Sequence, residues 1–213
     1  TGMLQLFSNK KKNEGNELAH DAFFSELREK EYGRLSENNQ VYLDYTGGNL
    51  YPDSQVEEHM KLLKSSVLGN PHSTNPSSQL STDLVKKSRQ SVLDFFNAEN
   101  YYCVFTSNAS NALKIVGECY PFDENSHLML LWDNHNSVNG IREYSSRKGG
   151  EFSTSKIHYE DLTIDEKFLE QELSAHNDKA NKLFAFPAQS NVSGVKHDLS
   201  LVKLAQEKGW DVI

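Results

Sequence analysis

Three stretches of this sequence carry residues that could do chemistry. Val104–Glu118 (VFTSNASNALKIVGE) passes from an apolar β-type run through a turn of small polar residues, Thr106–Ser110, into a helical pattern with Leu113, Val116 and Gly117 spaced for a buried face. Free backbone N–H groups at a helix start, the positive end of the helix dipole and nearby hydroxyls together make a cup for a phosphate. The same residues also read as a Ser/Asn-capped helix after a buried strand, and this stretch alone leaves both readings open. Asp133-Asn134-His135-Asn136 offers an imidazole, and Pro187–Gly194 (PAQSNVSG) offers amide donors. Such a set suits a flat, phosphorylated, hydrogen-bonding ligand.

The elements that would position these groups follow from periodicity. From Tyr101 onward, strands are predicted at 101–106, 127–132, 151–157, 182–186 and 210–213. Helices are predicted between them at 109–119, 137–148, 165–175 and 198–208. This alternation implies an α/β fold, a mostly parallel sheet with helices on both faces. Ligands of such sheets bind beyond the carboxyl ends of the strands, where all three polar stretches fall.

Upstream, Glu17–Leu35 has a helical face at Leu18, Ala22, Phe23 and Leu27, and Gln40–Asp44 reads as a short strand. It runs into Tyr45-Thr46-Gly47-Gly48, where paired glycines allow close backbone approach or simply make a turn. Helices are expected from Pro52 to about Leu68, with Val56, Met60, Leu63 and Val67 inward, and over Leu80–Asn97. Between them Gly69–Ser78 (GNPHSTNPSS) can only be a long polar loop, and such loops often serve function.

Composition narrows the partners. With 213 residues, 37% of them hydrophobic and 24% charged, the chain can build a sizeable core. A formal net charge of −8 argues against general binding of nucleic acid or anionic membrane. Lys10–Lys12 is the one dense basic run and reads as a solvated tail within a polar leader; Thr1-Gly2 ahead of Met3 reads as a cloning remnant. No stretch has transmembrane length. Cys103 and Cys119 read as two buried thiols of a reducing compartment, and a cytoplasmic location is expected. The histidines show no metal-ligand spacing, so no metal site is expected, and no nucleophile elbow surrounds Ser107, which argues against hydrolase chemistry.

Five collinear motifs, VYLDYTGGNLY, GNPHS, FTSNASNALKIVGE, DNHNSVNGIREY and LFAFPAQSNVSGVK, resemble the class V branch of pyridoxal-phosphate (PLP) enzymes, which includes the cysteine desulfurases. Within it they are most similar to the PLP domain of molybdenum cofactor sulfurases, N-terminal part only. The resemblance implies PLP-dependent transferase fold type I, with an incomplete large domain. It implies that Ala109 and Ser110, with Asn108 beside them, hold the PLP phosphate. Glycine is usual at the place of Asn108, and Asn tolerates a left-handed backbone better than most residues. His135 would stack on the pyridine ring and serve in proton transfer, and Asn191 would hydrogen-bond the ring oxygen. Gly47, Gly48 and His72 would line the substrate pocket; for each, an ordinary turn is an equal alternative.

Three residues of the pattern are missing and would lie past Ile213: an aspartate for the pyridine nitrogen, the covalently anchoring lysine, and the cysteine that carries persulfide. Because Gly209–Ile213 reads as a strand cut at its last residue, the chain is expected to be the first part of a longer enzyme, inactive alone. The expected organisation is a leader (1–16), an N-terminal helical arm (17–39) and the first part of the PLP-binding large domain (40–213). The function implied is PLP-dependent sulfur mobilisation from cysteine, with a homodimer and a sulfur acceptor as partners. The alternatives are another class V aminotransferase or lyase, and a non-catalytic fragment or scaffold with this fold.

Overall fold

The computed structural model describes residues 14–213, and side chains from residue 21; the leader with Lys10–Lys12, and Leu18 of the first helix's expected apolar face, lie outside the described residues. The chain divides into two compact units between Cys103 and Val104.

The first unit is helical: α1 (Glu14–Glu37), α2 (Asp53–Ser65) and α3 (Pro76–Phe95). Asparagine ends two of them. Asn39 and Asn97 both sit at φ 50°, and the next residue's N–H reaches back to Leu35 O and Leu93 O respectively. A short polar side chain tolerates this left-handed cap better than most. α1 holds the start of α2. The Glu31 carboxylate accepts from Ser54 N at 2.9 Å, which holds its acid strength above that of an ordinary glutamate, and Arg34 Nη1 donates to Asp53 at 2.6 Å. Arg34 also donates to Tyr51 O and lies 4.5 Å over the Tyr51 ring. α3 begins at Asn75, whose side chain accepts from Ser78 N, with Pro76 supplying the first-turn residue that needs no N–H partner.

Two expectations fail in this unit. Gln40–Asp44 is not a strand: it has no partner strand among the described residues, and Leu43 is 83% exposed. Val56, Met60 and Leu63 of α2, and Val67 just past its end, are exposed, because no described residue packs over them; Ala22, Phe23 and Leu27 of α1 are exposed as well.

The second unit is an α/β layer structure. Four parallel strands, β1 (Ser126–Leu131), β2 (Glu151–Ser155), β3 (Asn181–Ala185) and β4 (Asp211–Val212), lie in the order β2-β1-β3-β4. β1 is buried along its whole length, as a central parallel strand should be. Its alternation feeds two cores. Met129 and Leu131 join Phe184, Trp210 and the apolar sides of α7 (Glu166–Ala175) and α8 (Ser200–Glu207). Leu128 and Leu130 join Leu183 and Ala185 under α4 (Ala109–Cys119), α5 (Asn136–Asn139) and α6 (Ile141–Arg147). Helices therefore cover both faces of the sheet.

The expected strand over 101–106 is the main error here. It forms no strand and pairs with nothing among the described residues, and Tyr102 is 97% exposed. A β-type composition fixes a backbone shape; a strand also needs a neighbour to bond, and that lies outside local sequence. The two thiols are not both buried as expected: Cys103, on this unpaired segment, is half-buried, and Cys119, the last residue of the Ala109–Cys119 helix, is exposed.

Candidate functional site

The turn Thr106–Ser110 leads into α4. Asn108 is its N-cap at φ −170°, ψ 173°, an extended backbone open to any residue, so no left-handed tolerance is called upon. Its side chain accepts from Asn111 N at 2.9 Å, and its carbonyl accepts from Ala112 N and Thr106 Oγ1. The capped-helix geometry is thus present. It leaves the N–H groups of Ala109 and Ser110 without an acceptor among the described residues, at the positive end of an 11-residue helix. Capping and anion binding are compatible here: one orphan donor is spent inside the turn and two remain outside it.

The close approach of α4 to α6 depends on Gly117. A Cβ there would lie 2.6 Å from Tyr144 Cδ2 and 3.0 Å from Cγ, so only glycine lets the two helices sit as they do. At the other end of α4, Ser110 Oγ and Ser137 Oγ share a hydrogen bond of 2.6 Å, which joins the cup to α5.

His135 is exposed and forms the N-cap of α5. Its Nδ1 accepts from Ser137 N at 3.1 Å. That bond leaves Nδ1 unprotonated in the neutral ring, so the neutral ring carries its proton on Nε2. Ser137 therefore sits between the cup and the imidazole, bonded to both. Beneath His135 the chain is fixed: Asn134 is buried, and its Nδ2 donates to Ala185 O at 2.8 Å.

Asn191 lies in the loop after β3, at the same carboxyl end of the sheet, since β1 and β3 are parallel with Leu130 opposite Ala185. It is exposed, and its amide bonds nothing among the described residues. The turn around it is built by Ser190 rather than by an Asx turn: Ser190 Oγ accepts from Val192 N and Ser193 N, and Ser190 O accepts from Gly194 N. Gly194 closes the turn at φ 75°, where a side chain would be strained.

In the first unit, Gly47 and Gly48 both donate to Asp44 O, and a Cβ at Gly47 would meet the Asp44 carboxylate at 2.8 Å, so these residues make a tight turn. His72 is exposed at φ 75°, and its N–H donates to Thr82 Oγ1. A non-glycine residue in that region is uncommon, and the loop holds it through Gly69 N to Ser77 O as well.

Three residues with no role assigned from sequence, Ser137, Asp133 and His197, join the site's framework. Ser137 stands two residues after His135, a spacing that marks a helix cap. Asp133 and His197 are 64 residues apart in sequence and paired at 2.9 Å, a juxtaposition with no local signal. Among the described residues no group of acidic, histidine or cysteine side chains is arranged to hold a metal, and no helix is long and apolar enough to cross a membrane.

The sequence model of the family described as aminotransferase class-V matches residues 41–213. Molybdenum cofactor sulfurases from Solanum lycopersicum and Arabidopsis thaliana are 41% identical over 202 residues and 39% identical over 210, covering 85% and 88% of this chain. The alignments take in 24% and 25% of those proteins, so the chain spans about a quarter of the length of these curated relatives. The structure of a cysteine desulfurase from Thermococcus onnurineus superposes with a TM-score of 0.76 at 24% identity, over 88% of this chain and 46% of that one. One from Escherichia coli gives 0.70 at 20%, over 89% and 47%. At these identities the structural likeness concerns the fold alone. The chain belongs to the class-V aminotransferase family.

Proposed function

We propose that this chain, as a member of that family, forms the PLP-holding part of an enzyme that mobilises sulfur from cysteine; the name of its molybdenum cofactor sulfurase relatives supports the sulfur transfer. One observation carries the reading. The exposed ring of His135 and the amide of Asn191 stand at the carboxyl end of one parallel sheet, and the Ser110–Ser137 hydrogen bond ties to them the start of α4, with two N–H groups that have no acceptor among the described residues. That donor set fits PLP: a phosphate for the helix end, a flat ring for the imidazole, and a ring oxygen for the amide.

The roles follow from the geometry of each group. Ala109 N, Ser110 N and Ser110 Oγ would donate to the phosphate, with the dipole of α4 adding to the attraction. Ser110 Oγ can keep its link to Ser137 as acceptor while it donates outward. Asn108 would shape this cup through its cap and contribute no ligand atom of its own side chain. His135, oriented by the bond from Ser137 N to Nδ1, would lay its face on the pyridine ring and hold or move a proton at Nε2. Asn191 Nδ2 would donate to the ring oxygen. Bound PLP supplies an electron sink; the protein supplies position, charge and the exclusion of competing reactions. Gly47, Gly48 and His72 are proposed for the pocket that admits the amino-acid substrate.

Cysteine as substrate, molybdenum cofactor as the destination of the sulfur, a homodimer and a cytoplasmic location belong to the same proposal. The exposed apolar stripe of α2 supports a further protein surface being buried there. Another class V reaction on a different amino substrate would use the same cradle, and is distinguished by which amino acid the full-length protein consumes. The reading is tested by incubating the full-length protein with PLP and cysteine. Bound PLP with release of alanine and sulfide under reductant supports it; a protein that retains no PLP overturns it.

A further inference from the structure

Behind the exposed His135 and Asn191 lies a polar contact that none of the roles above uses. His197 Nε2 and Asp133 Oδ2 are 2.9 Å apart, and each side chain is only 2% exposed. Asp133 directly precedes Asn134 and His135 at the end of β1. His197 closes the loop that began at Pro187 and carries Asn191. Its own N–H donates to Ala188 O, at the near end of that loop.

Other bonds run in parallel. Ser190 Oγ, which shapes the Asn191 turn, is 3.5 Å from Asp133 O, and Asn134 Nδ2 donates to Ala185 O at the end of β3. Two further atoms mark the place as polar beyond its own bonding: Asp133 Oδ1 and Asn134 Oδ1 are buried acceptors with no partner among the described residues. Burying an aspartate with one oxygen unmatched is unfavourable unless its other oxygen is firmly paired.

We propose that Asp133 and His197 are positioning residues: a buried clamp that fixes the loop carrying His135 against the loop carrying Asn191. The two loops leave adjacent parallel strands, and nothing covalent sets the spacing of their tips. The clamp, as the buried charged contact beside these parallel bonds, holds it, and with it the distance between the ring-stacking imidazole and the ring-oxygen amide. Misplacing a positioned group by about 1 Å is enough for losses of roughly a hundredfold. The inference rests on the PLP reading above, and it adds residues that touch neither the cofactor nor a substrate.

The test uses the full-length protein, with PLP dissociation measured by equilibrium dialysis and the circular dichroism of bound PLP in the visible as a reporter of its orientation. His197→Phe keeps a planar ring and removes the donor. It is expected to weaken PLP retention about tenfold or more and to change the visible dichroism. His197→Gln restores a donor and is expected to return both readouts to within about threefold of the parent. Asp133→Leu/His197→Phe strands neither partner and covers the case in which the single variant does not fold; it is expected to fold and still to bind PLP about tenfold more weakly.

Parent-like retention and dichroism in His197→Phe, or in the double variant, overturns the inference even if thermal stability falls. So does an equal defect in the Gln and Phe variants. Failure of the underlying reading looks different: His135→Ala and Asn191→Ala would then also leave PLP retention unchanged. If those two weaken retention and the clamp variants do not, the clamp alone is wrong.

Discussion

Replacing Gly117 by alanine separates local propensity from packing in the element that would hold the phosphate. In an exposed helix interior the change stabilises by about 1 kcal/mol, because alanine loses less backbone freedom on folding. Gly117 is buried in α4, and the new Cβ would stand 2.6, 3.0 and 3.1 Å from Cδ2, Cγ and Cε2 of Tyr144. That ring packs against the core under α4 and α6, so moving it aside would loosen that packing. Overpacking of this kind costs about 1–3 kcal/mol, and three contacts at this range on a held ring argue for the upper part. The net expectation is a destabilisation on the order of 1–2 kcal/mol, read as a lower urea midpoint with an unchanged slope. Phosphate affinity should fall too, since α4 must shift to relieve the clash. In a Tyr144→Ala background the sign should reverse, with Gly117→Ala stabilising by about 1 kcal/mol. A Gly117→Ala variant more stable than its parent, with Tyr144 intact, refutes the packing argument.

Further outcomes are as specific. Burial, and then the stacked His176 ring 3.5 Å away, lower the pKa of His127 from 6.5 to about 4. The unfolded chain therefore binds that proton more readily between these values, and stability should fall as pH drops from about 6.5 to about 4. After allowance for screening the loss is on the order of 1–2 kcal/mol; His127→Gln should remove that part of the acid dependence in urea titrations at several pH values. Arg34→Ala should loosen the start of α2 by roughly 1–2 kcal/mol through loss of the Asp53 and Tyr51 contacts. Hydrogen exchange in the first turn of α2 should rise while β1 is unaffected. His135→Ala should lower PLP retention or alter its visible spectrum; no change in either would remove the ring-stacking role.

The second unit was largely legible because its signals are local. The apolar runs at β1 and β3 and the capped pattern of α4 each declare themselves within about a dozen residues, and α4 occupies the predicted 109–119. The segments 40–44 and 101–106 have equally β-like compositions, yet among the described residues neither has a neighbour to complete a ladder. The outward face of α2 fails similarly, since an amphipathic stripe states that something should cover it and not where that covering is. His135 could be singled out by its place after a buried strand. The Asp133–His197 pair could not, because its two members share no periodicity and meet only when the ends of β1 and β3 are brought side by side.

The central claim is that the start of α4 is a phosphate seat for PLP. Ser110→Asp places a carboxylate at that seat while leaving the Asn108 cap in place. PLP retained by the full-length protein through gel filtration, measured by its visible absorbance per protein, tests the claim most directly. The parent should carry bound PLP, and Ser110→Asp should lose it while keeping its thermal unfolding transition. A parent that never takes up PLP, or a Ser110→Asp protein that retains it as the parent does, would contradict the account.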